Sequence, residues 1–380
     1  METKTGLKAR IVNRIEQIPR EDWDQAFPKV LESHSFLKTL DESSFDEFSF
    51  FYIIIYDNEV PVGAASCFLM DFPLDLAVSG PFKLFFKSIK FILPNIFKQK
   101  TLFCGLPMGP GRIGIVRDSQ QVMEKISQSL EKIAKEQKAA MIIFKDFTSE
   151  YEAGLKPLLS KGFSRIESFP FTQMDIRFKS FDEYLKTLSR SSRENLKRNF
   201  KKVDNKVKID LEVVGKLEDK VLGEAYALYL ETYNKQEMSF EKLSEDFFRN
   251  IQRNMPQETK FFLWRIEGKL VAFAFCLVAG DCFIDYYLGF DYSVAHNYCL
   301  YFIRFRGLME WCIKHGIKKY EMGVTTYEPK RRLGFNFVRF FFYIKHRNKF
   351  INYFSGMISY FIGPVKFDPI FKIMEKRKLE

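Results

Sequence analysis

The stretch DCFIDYYLGFDYSVAHNYCLYFIRFRGLMEWCIKHGIKKYEMGV (residues 281–324) holds the pattern that decides the fold. It opens with a strand-like run ending in Gly-Phe-Asp, continues as a helix-like run over residues 298–316, and ends as a strand-like run over residues 317–324. The helix finishes at His315-Gly316, a favourable C-terminal cap. A helix between two strands of one sheet implies a crossover, so the stretch predicts a parallel strand pair in a mixed α/β sheet.

The same order of elements occurs twice along the 380 residues. Each half runs hairpin, helix, strand, Gly-Phe pair and a further strand. These elements lie at residues 50–71, 119–138, 139–147 and 161–178 in the first half, and at 261–281, 298–316, 317–324 and 333–347 in the second. The doubling predicts two α/β units, each with a mixed β-sheet flanked by helices.

We place the boundary between the two halves near residue 179, where a strongly charged stretch begins. The expected organisation is an N-terminal domain over 1–178, a C-terminal catalytic domain over 179–350 and an amphipathic tail over 351–380. The N-terminal domain carries a basic, Phe-rich insertion at about 76–117.

Three short motifs then carry a resemblance to a known family: LSRSSRENLKRNFKK (188–202), the strand and helix of residues 281–311, and YEPKRRLGF (327–335). With them, the chain resembles the GNAT superfamily of acyltransferases, and more closely the two-domain branch of FemAB/FemX peptidyltransferases and CelD-like proteins. The resemblance implies tandem GNAT-like domains and direct transfer of an acyl group from an activated donor to an amine.

One feature departs from the standard acetyltransferase pattern. GNAT acetyltransferases place a Gly-rich loop before the long helix, and its backbone N–H groups cradle the pyrophosphate of acyl-CoA. Here the corresponding residues, DYSVAHNYCLYF, contain no Gly after Gly289. FemX-like proteins resemble this chain in that lack, and they take aminoacyl-tRNA.

Lys330 is the first candidate catalytic residue, because it follows the end of a predicted strand, where α/β sheets bind ligands. A cation there can stabilise the oxyanion that forms when an amine attacks an acyl group. In the resemblance, the matching Lys lies near the reacting ester. Tyr327 can direct its hydroxyl to the same place, and Arg331 and Arg332 can bind a phosphate-bearing ligand; the alternative is a solvated basic loop.

Asp285, Tyr286 and Tyr287 form a second candidate group in the strand CFIDYYLGF. By alternation, Asp285 and Tyr287 share a face with Phe283, and Tyr286 points to the other. A carboxylate in an apolar strand needs a partner. We expect Asp285 to pair with Lys330 or an Arg, or to accept a proton from the attacking amine; a solvated sheet edge is the alternative.

The third candidate is a basic stripe within residues 186–208, where Arg190, Arg193, Lys197 and Lys201 fall at helical spacing. Such a stripe binds phosphate groups of tRNA, a nucleotide-linked acceptor, CoA or acidic lipid. An exposed helix of a basic protein is the alternative.

The insertion supplies a fourth candidate, since residues 80–100 place Lys83, Lys87 and Lys90 on one stripe among Phe and Ile residues. This pattern favours an acidic membrane surface as a partner, or a helix buried against the second domain with its lysines reaching solvent. The net charge of +11 also favours an anionic partner. DNA is not among the expected partners.

The six Cys residues lie mostly in apolar runs, without metal-ligand spacing, and the N-terminus has no apolar export signal. We therefore expect a cytoplasmic protein without a metal, either free or peripheral on the inner face of the membrane. The favoured function is an N-acyltransferase with acyl-CoA as co-substrate. The alternatives are an aminoacyl-tRNA-dependent peptidyltransferase acting on a cell-wall or lipid-linked precursor, and a non-catalytic peripheral membrane or scaffold protein.

Overall fold

The computed structural model describes residues 6–28, 31–73, 98–117, 119–235, 240–324 and 326–354. The chain divides into two compact units. The first contains the chain up to Asp41, Phe45–Pro170 and the chain from Val338; the second contains Glu42–Ser44 and Phe171–Phe337. Lys83, Lys87 and Lys90 of the predicted interfacial stripe lie outside the described residues, as does the tail beyond residue 354.

The described residues form strands interspersed with helices. In chain order the strands are β1 (Leu7–Val12), β2 (Ser49–Asp57), β3 (Val60–Pro73), β4 (Lys98–Cys104), β5 (Gly114–Ile115), β6 (Met141–Thr148), β7 (Ser164–Glu167), β8 (Phe171–Asp175), β9 (Asp210–Val214), β10 (Thr259–Ile266), β11 (Lys269–Ala279), β12 (Cys282–Phe290), β13 (Lys319–Met322), β14 (Asn336–Val338) and β15 (Phe340–His346). The α-helices are α1 (Arg20–Ala26), α2 (His34–Glu42), α3 (Ser119–Glu136), α4 (Glu152–Leu155), α5 (Pro157–Ser160), α6 (Phe181–Thr187), α7 (Arg190–Asp204), α8 (Asp219–Asn234), α9 (Glu245–Asn254), α10 (Tyr292–Ala295), α11 (Leu300–Lys314) and α12 (Tyr327–Arg332).

Each unit contains one mixed sheet, which confirms the predicted fold class. The first sheet has the order β1-β2-β3-β4-β6-β15-β7, with β5 on β3, and the second has the order β14-β8-β13-β12-β11-β10-β9. β4 and β6 are parallel and joined through α3, and β12 and β13 are parallel and joined through α11. The parallel pair predicted in each half is therefore present.

The two sheets exchange their last strands, which the sequence analysis did not foresee. The sequence patterns predict residues 161–178 in the first domain and 333–350 in the second. In the structure, β8 pairs with β13 of the second sheet, whereas β15 pairs with β6 and β7 of the first. Pro170 lies between β7 and β8, and without a backbone N–H it cannot continue a ladder. The chain therefore leaves one sheet there and joins the other.

In the second unit, α8 lies close against β12 at Gly289. A Cβ atom on Gly289 would lie 2.5 Å from the carbonyl carbon of Leu228, so only Gly permits this approach. The backbone N–H of Phe290 then donates to Oγ1 of Thr232 at 3.1 Å. These contacts explain the Gly of the Gly-Phe-Asp ending and fix the direction of the last residues of the strand.

The parallel strands part at a defined point in each unit. The ladder between β12 and β13 ends at Asp285 opposite Met322, while β12 continues to Phe290. In the first unit the ladder between β4 and β6 ends at Cys104, and the following loop turns back so that Gly111 N donates to Asp146 O at 3.0 Å. The first unit thus packs its own backbone beside the end of its ladder. In the second unit, Lys330 reaches this point.

Candidate functional site

Lys330 lies on the short helix α12 and is only 5% exposed. Thr326, immediately before the helix, has a left-handed φ of 51°, which turns the chain sharply after β13. The Lys330 ammonium donates to the carbonyl oxygen of Gly323 at 2.5 Å and to that of Val324 at 3.3 Å. An ammonium has three donors, so these two contacts leave one N–H that can serve a substrate oxygen.

A buried ion pair joins Asp285 of β12 to Arg304 of α11. Nη1 of Arg304 contacts both carboxylate oxygens of Asp285, at 2.7 and 2.8 Å, and the Tyr320 hydroxyl donates to Oδ2 of Asp285 at 3.0 Å. The side chains of Arg304 and Asp285 are 1% and 2% exposed. The partner that we expected for Asp285 is thus an Arg of α11, and the carboxylate is held by two donors from different elements.

The charges of this cluster act on Lys330. Burial lowers the pKa of Lys330 to about 7; the Asp285 carboxylate raises it in part, and the Arg304 guanidinium lowers it. For Arg304, burial alone would lower the pKa, but the Asp285 carboxylate together with the neighbouring Tyr320 and Tyr301 outweighs burial, and the pKa rises. Arg304 therefore remains charged, while Lys330 is poised between its charged and neutral forms near neutral pH.

Sequence reasoning missed Arg304 and Tyr320. Both lie within apolar runs, LYFIRFRGLMEW and IKKYEMGV, where a helix that is apolar on most sides does not reveal which face is buried. One signal in the sequence could have indicated Arg304. Asp285 lies in an apolar strand and needs a buried cation, and Arg304 belongs to the helix that crosses over that strand.

Among the expected orientations of Asp285, Tyr286 and Tyr287, that of Tyr287 is wrong. Asp285 faces α11, but Tyr287 contacts α8, with its ring centroid 5.9 Å from that of Tyr229. Opposite β11, Cys276 pairs with Asp285 and Phe275 with Tyr287, so Tyr286 is the extra residue of a β-bulge. The bulge reverses the alternation after Asp285. Both tyrosines lie on the other face, and the Tyr287 hydroxyl donates to Glu241.

The remaining candidates on α12 have partners of their own. The Tyr327 ring packs edge-on against Phe337 at 5.8 Å between centroids. Arg331 and Arg332 both form ion pairs with Glu328, at 2.7 and 2.9 Å. Hydrogen bonds from Arg331 outweigh partial burial and lower the pKa of Glu328 to about 2. A phosphate ligand would have to compete with this carboxylate for either guanidinium.

The chain between β12 and α11 uses its backbone donors internally. Its N–H groups at residues 292–295, 298 and 299 make hydrogen bonds of 2.9 to 3.2 Å within the protein. The acceptors are Glu231 Oε1 for Tyr292, Asp291 Oδ1 for Ser293, Asp291 O for Val294 and Ala295, Val294 O for Tyr298, and His296 O for Cys299. This segment forms α10 in place of an open loop, so these groups do not point at a ligand.

The basic stripe lies on α7, whose buried side consists of Leu196, Phe200 and Val203. Arg190, Lys197 and Lys201 are exposed, whereas Arg193 is half-buried and directed to Leu188 O and Glu194. A shallow groove of about 460 Å³ runs along the helix between Lys197, Arg198, Lys201 and Lys202, with Glu194 and Asn205 at its ends. The groove concentrates positive charge on one side of the second unit.

In the part of the chain that the structure describes, no cluster of three His, Cys, Asp or Glu side chains could hold a metal ion. Within the same residues, none of the helices has both the length and the apolar composition needed to cross a membrane.

Comparison with known proteins places the chain among related sequences and folds. The sequence profile of the FemAB_like family, described as peptidoglycan biosynthesis/recognition, matches residues 102–354. A comparison with curated proteins gave no match.

Solved structures share the fold at low identity. FemX is 13% identical with a TM-score of 0.56, covering 88% of this chain and 96% of its own. L-PGS from Bacillus licheniformis is 12% identical with a TM-score of 0.52, and the match covers 86% of this chain and 91% of that structure. A tandem GNAT protein from the clavulanic acid biosynthesis pathway is 9% identical with a TM-score of 0.53, covering 90% and 98%.

Proposed function

The chain belongs to the FemAB_like family and is a transferase with tandem GNAT-like units, and we propose that it transfers an aminoacyl group from aminoacyl-tRNA to an amine of a cell-wall or lipid-linked precursor. The observation that carries this proposal is the buried Lys330 ammonium, located where β12 and β13 part. A carbonyl oxygen placed there would meet the protonated form of Lys330 in a position shielded from water.

The proposed reaction is a direct displacement. The acceptor amine attacks the carbonyl carbon of the aminoacyl ester, forming a C–N bond, and the remaining N–H of Lys330 stabilises the oxyanion. The C–O bond to the ribose then breaks, and the proton lost by the amine ends on the ribose oxygen. Asp285 serves as a positioning residue for Arg304, because both of its oxygens accept hydrogen bonds from that side chain.

The structure bears on the choice of acyl donor between acyl-CoA and aminoacyl-tRNA. Acyl-CoA, which we favoured from the sequence, needs free backbone N–H groups for its pyrophosphate. The internal hydrogen bonds of residues 292–299 leave few of them. The exposed cations of α7 fit the phosphates of tRNA instead. Acyl-CoA therefore remains a prediction, and aminoacyl-tRNA is the donor that we propose.

We expect the protein to retain charged tRNA on a nitrocellulose filter at low salt, with binding that weakens steeply as salt rises. The double variant Lys197→Gln, Lys201→Gln should reduce the slope of log K against log salt by about 1.5 to 2, because two phosphate contacts are lost. Lys314→Gln, which removes an exposed cation at the far end of α11, is the matched control. Calorimetry with acetyl-CoA should show no heat of binding.

Saturable acetyl-CoA binding together with no retention of charged tRNA at low salt would contradict the proposed donor. An unchanged salt slope in the double variant would show that tRNA binds elsewhere on the protein.

A further inference from the structure

The chain after β15 carries an unusual concentration of exposed apolar side chains. Residues 349–354 are helical, and Phe350, Ile351, Tyr353 and Phe354 are 74%, 47%, 72% and 39% exposed. Their aromatic rings contact one another, with centroids 4.9 Å apart for Phe350 and Phe354 and 5.5 Å apart for Tyr353 and Phe354. Four large apolar groups within five positions form a continuous patch on the first unit, which we call the 350–354 patch.

Hydrogen bonds fix the direction in which this patch points. Asn348 caps the helix, since its Oδ1 accepts from the backbone N–H groups of Phe350 and Ile351. Asn352 faces the protein: its Nδ2 donates to Gly162 O at 2.8 Å and its Oδ1 accepts from His346 N at 2.7 Å. At about 100° per residue, the four apolar positions are centred opposite Asn352. The apolar side of the helix therefore faces away from the unit.

Cations lie beside the patch. A pocket of about 540 Å³ is lined by Lys161, Lys345, Arg347 and Lys349, with Glu131 as its acidic residue. Glu131 is paired with Lys345 at 2.6 Å, and Arg347 donates to the carbonyl oxygens of Ala134 and Ala139, at the end of α3. The exposed side chains of Lys349 and of Lys161, whose ammonium lies 3.8 Å from Glu124 Oε1, complete the basic side of the pocket.

We propose that the 350–354 patch and these flanking cations dock the protein on an anionic lipid bilayer. Aromatic and aliphatic side chains on an outward helix face suit the acyl boundary, and adjacent Lys and Arg side chains suit headgroup phosphates. A soluble protein partner would cover the apolar side chains equally well, but the charge beside them is complementary to an acidic lipid surface. The proposal rests on residues other than those of the predicted interfacial segment, 80–100, and it does not depend on the identity of the acyl donor.

The test uses the full chain with an added reporter. The variant Tyr353→Trp places an indole in the patch; Trp23 and Trp264 are 0% and 2% exposed, and the half-buried Trp311 is replaced by Phe in the same protein so that it adds no signal. On mixing with vesicles of phosphatidylglycerol and phosphatidylcholine, its emission should shift to the blue and be quenched by brominated acyl chains. Pure phosphatidylcholine vesicles should give a much weaker response, and salt should weaken binding to the anionic ones.

Substitutions separate the two contributions to binding. Adding Phe350→Ser and Phe354→Ser to the reporter should weaken binding to anionic vesicles by roughly 30-fold. Lys161→Gln with Lys349→Gln should weaken it by about 10-fold or more. Leu211→Ser, which changes a 40% exposed side chain of the second unit, should leave it unchanged. Circular dichroism verifies that each variant is folded.

Two results would overturn the proposal. One is an emission spectrum that does not change with anionic vesicles. The other is a dimer, seen by sedimentation, that Phe350→Ser and Phe354→Ser convert to a monomer without any effect on vesicle binding; that outcome would assign the patch to a second copy of the chain.

Discussion

Lys330→Met is expected to lower the single-turnover rate of aminoacyl transfer by about 10²- to 10³-fold, the usual effect of removing one oxyanion donor. Met has a similar length and can occupy the buried position without a charge. Affinity for charged tRNA should stay within about twofold of wild type, because Lys330 makes none of the phosphate contacts proposed for α7. The measurement follows a labelled amino acid from charged tRNA into a fraction of peptidoglycan precursors.

The control for this prediction is Lys314→Met, which removes an exposed ammonium from the same unit. Its transfer rate should equal that of wild type. A Lys330→Met protein that transfers within about threefold of wild type would remove Lys330 from the mechanism, whatever its effect on substrate affinity.

Arg304→Met should destabilise the second unit by about 3–5 kcal/mol, because it removes the cation that is hydrogen-bonded to both oxygens of the buried Asp285 carboxylate. Tyr320 would remain as a neutral donor to one oxygen, which offsets only part of the loss. The free energy of unfolding in urea is the relevant measurement.

A double substitution shows whether Arg304→Met loses stability because the ion pair is gone or because Asp285 remains as a buried, unpaired charge. Asp285→Leu combined with Arg304→Met removes both charges, and we expect most of the stability to return. Arg304→Met with a loss below about 1 kcal/mol would show that water or another cation reaches Asp285, and the account of a closed, dry cluster would be wrong.

Much of this arrangement could be predicted from the sequence. The hairpins within residues 50–71 and 261–281, the helices α3 and α11 and the parallel pair in each half follow from local sequence patterns and from the helix between two strands. The position of Lys330 after β13 follows as well, because the strand pattern ends at Gly323 and Val324.

Three features could not be predicted, each because it depends on distant contacts. The exchange of β8 and β15 between the sheets is decided by strand pairing across the chain, of which Pro170 gives only a hint. The bulge at Tyr286 depends on the register against β11. The pair between Asp285 and Arg304 joins residues on a strand and its crossover helix, and neither pattern alone shows which helix face is buried.

The central claim is that a desolvated ammonium lies where β12 and β13 part. It is tested most directly by comparing the unfolding free energies of wild type and Lys330→Met at pH 7 and pH 10. The pKa of Lys330 is about 7 in the folded protein and near 10.5 when unfolded. The unfolded chain therefore binds more protons between these values, and stability rises with pH.

Relative to Lys330→Met, wild type should gain roughly 3 kcal/mol between pH 7 and pH 10. A difference between the two proteins that stays constant over this range would mean that Lys330 titrates like an ordinary lysine in water, and would contradict the proposed site.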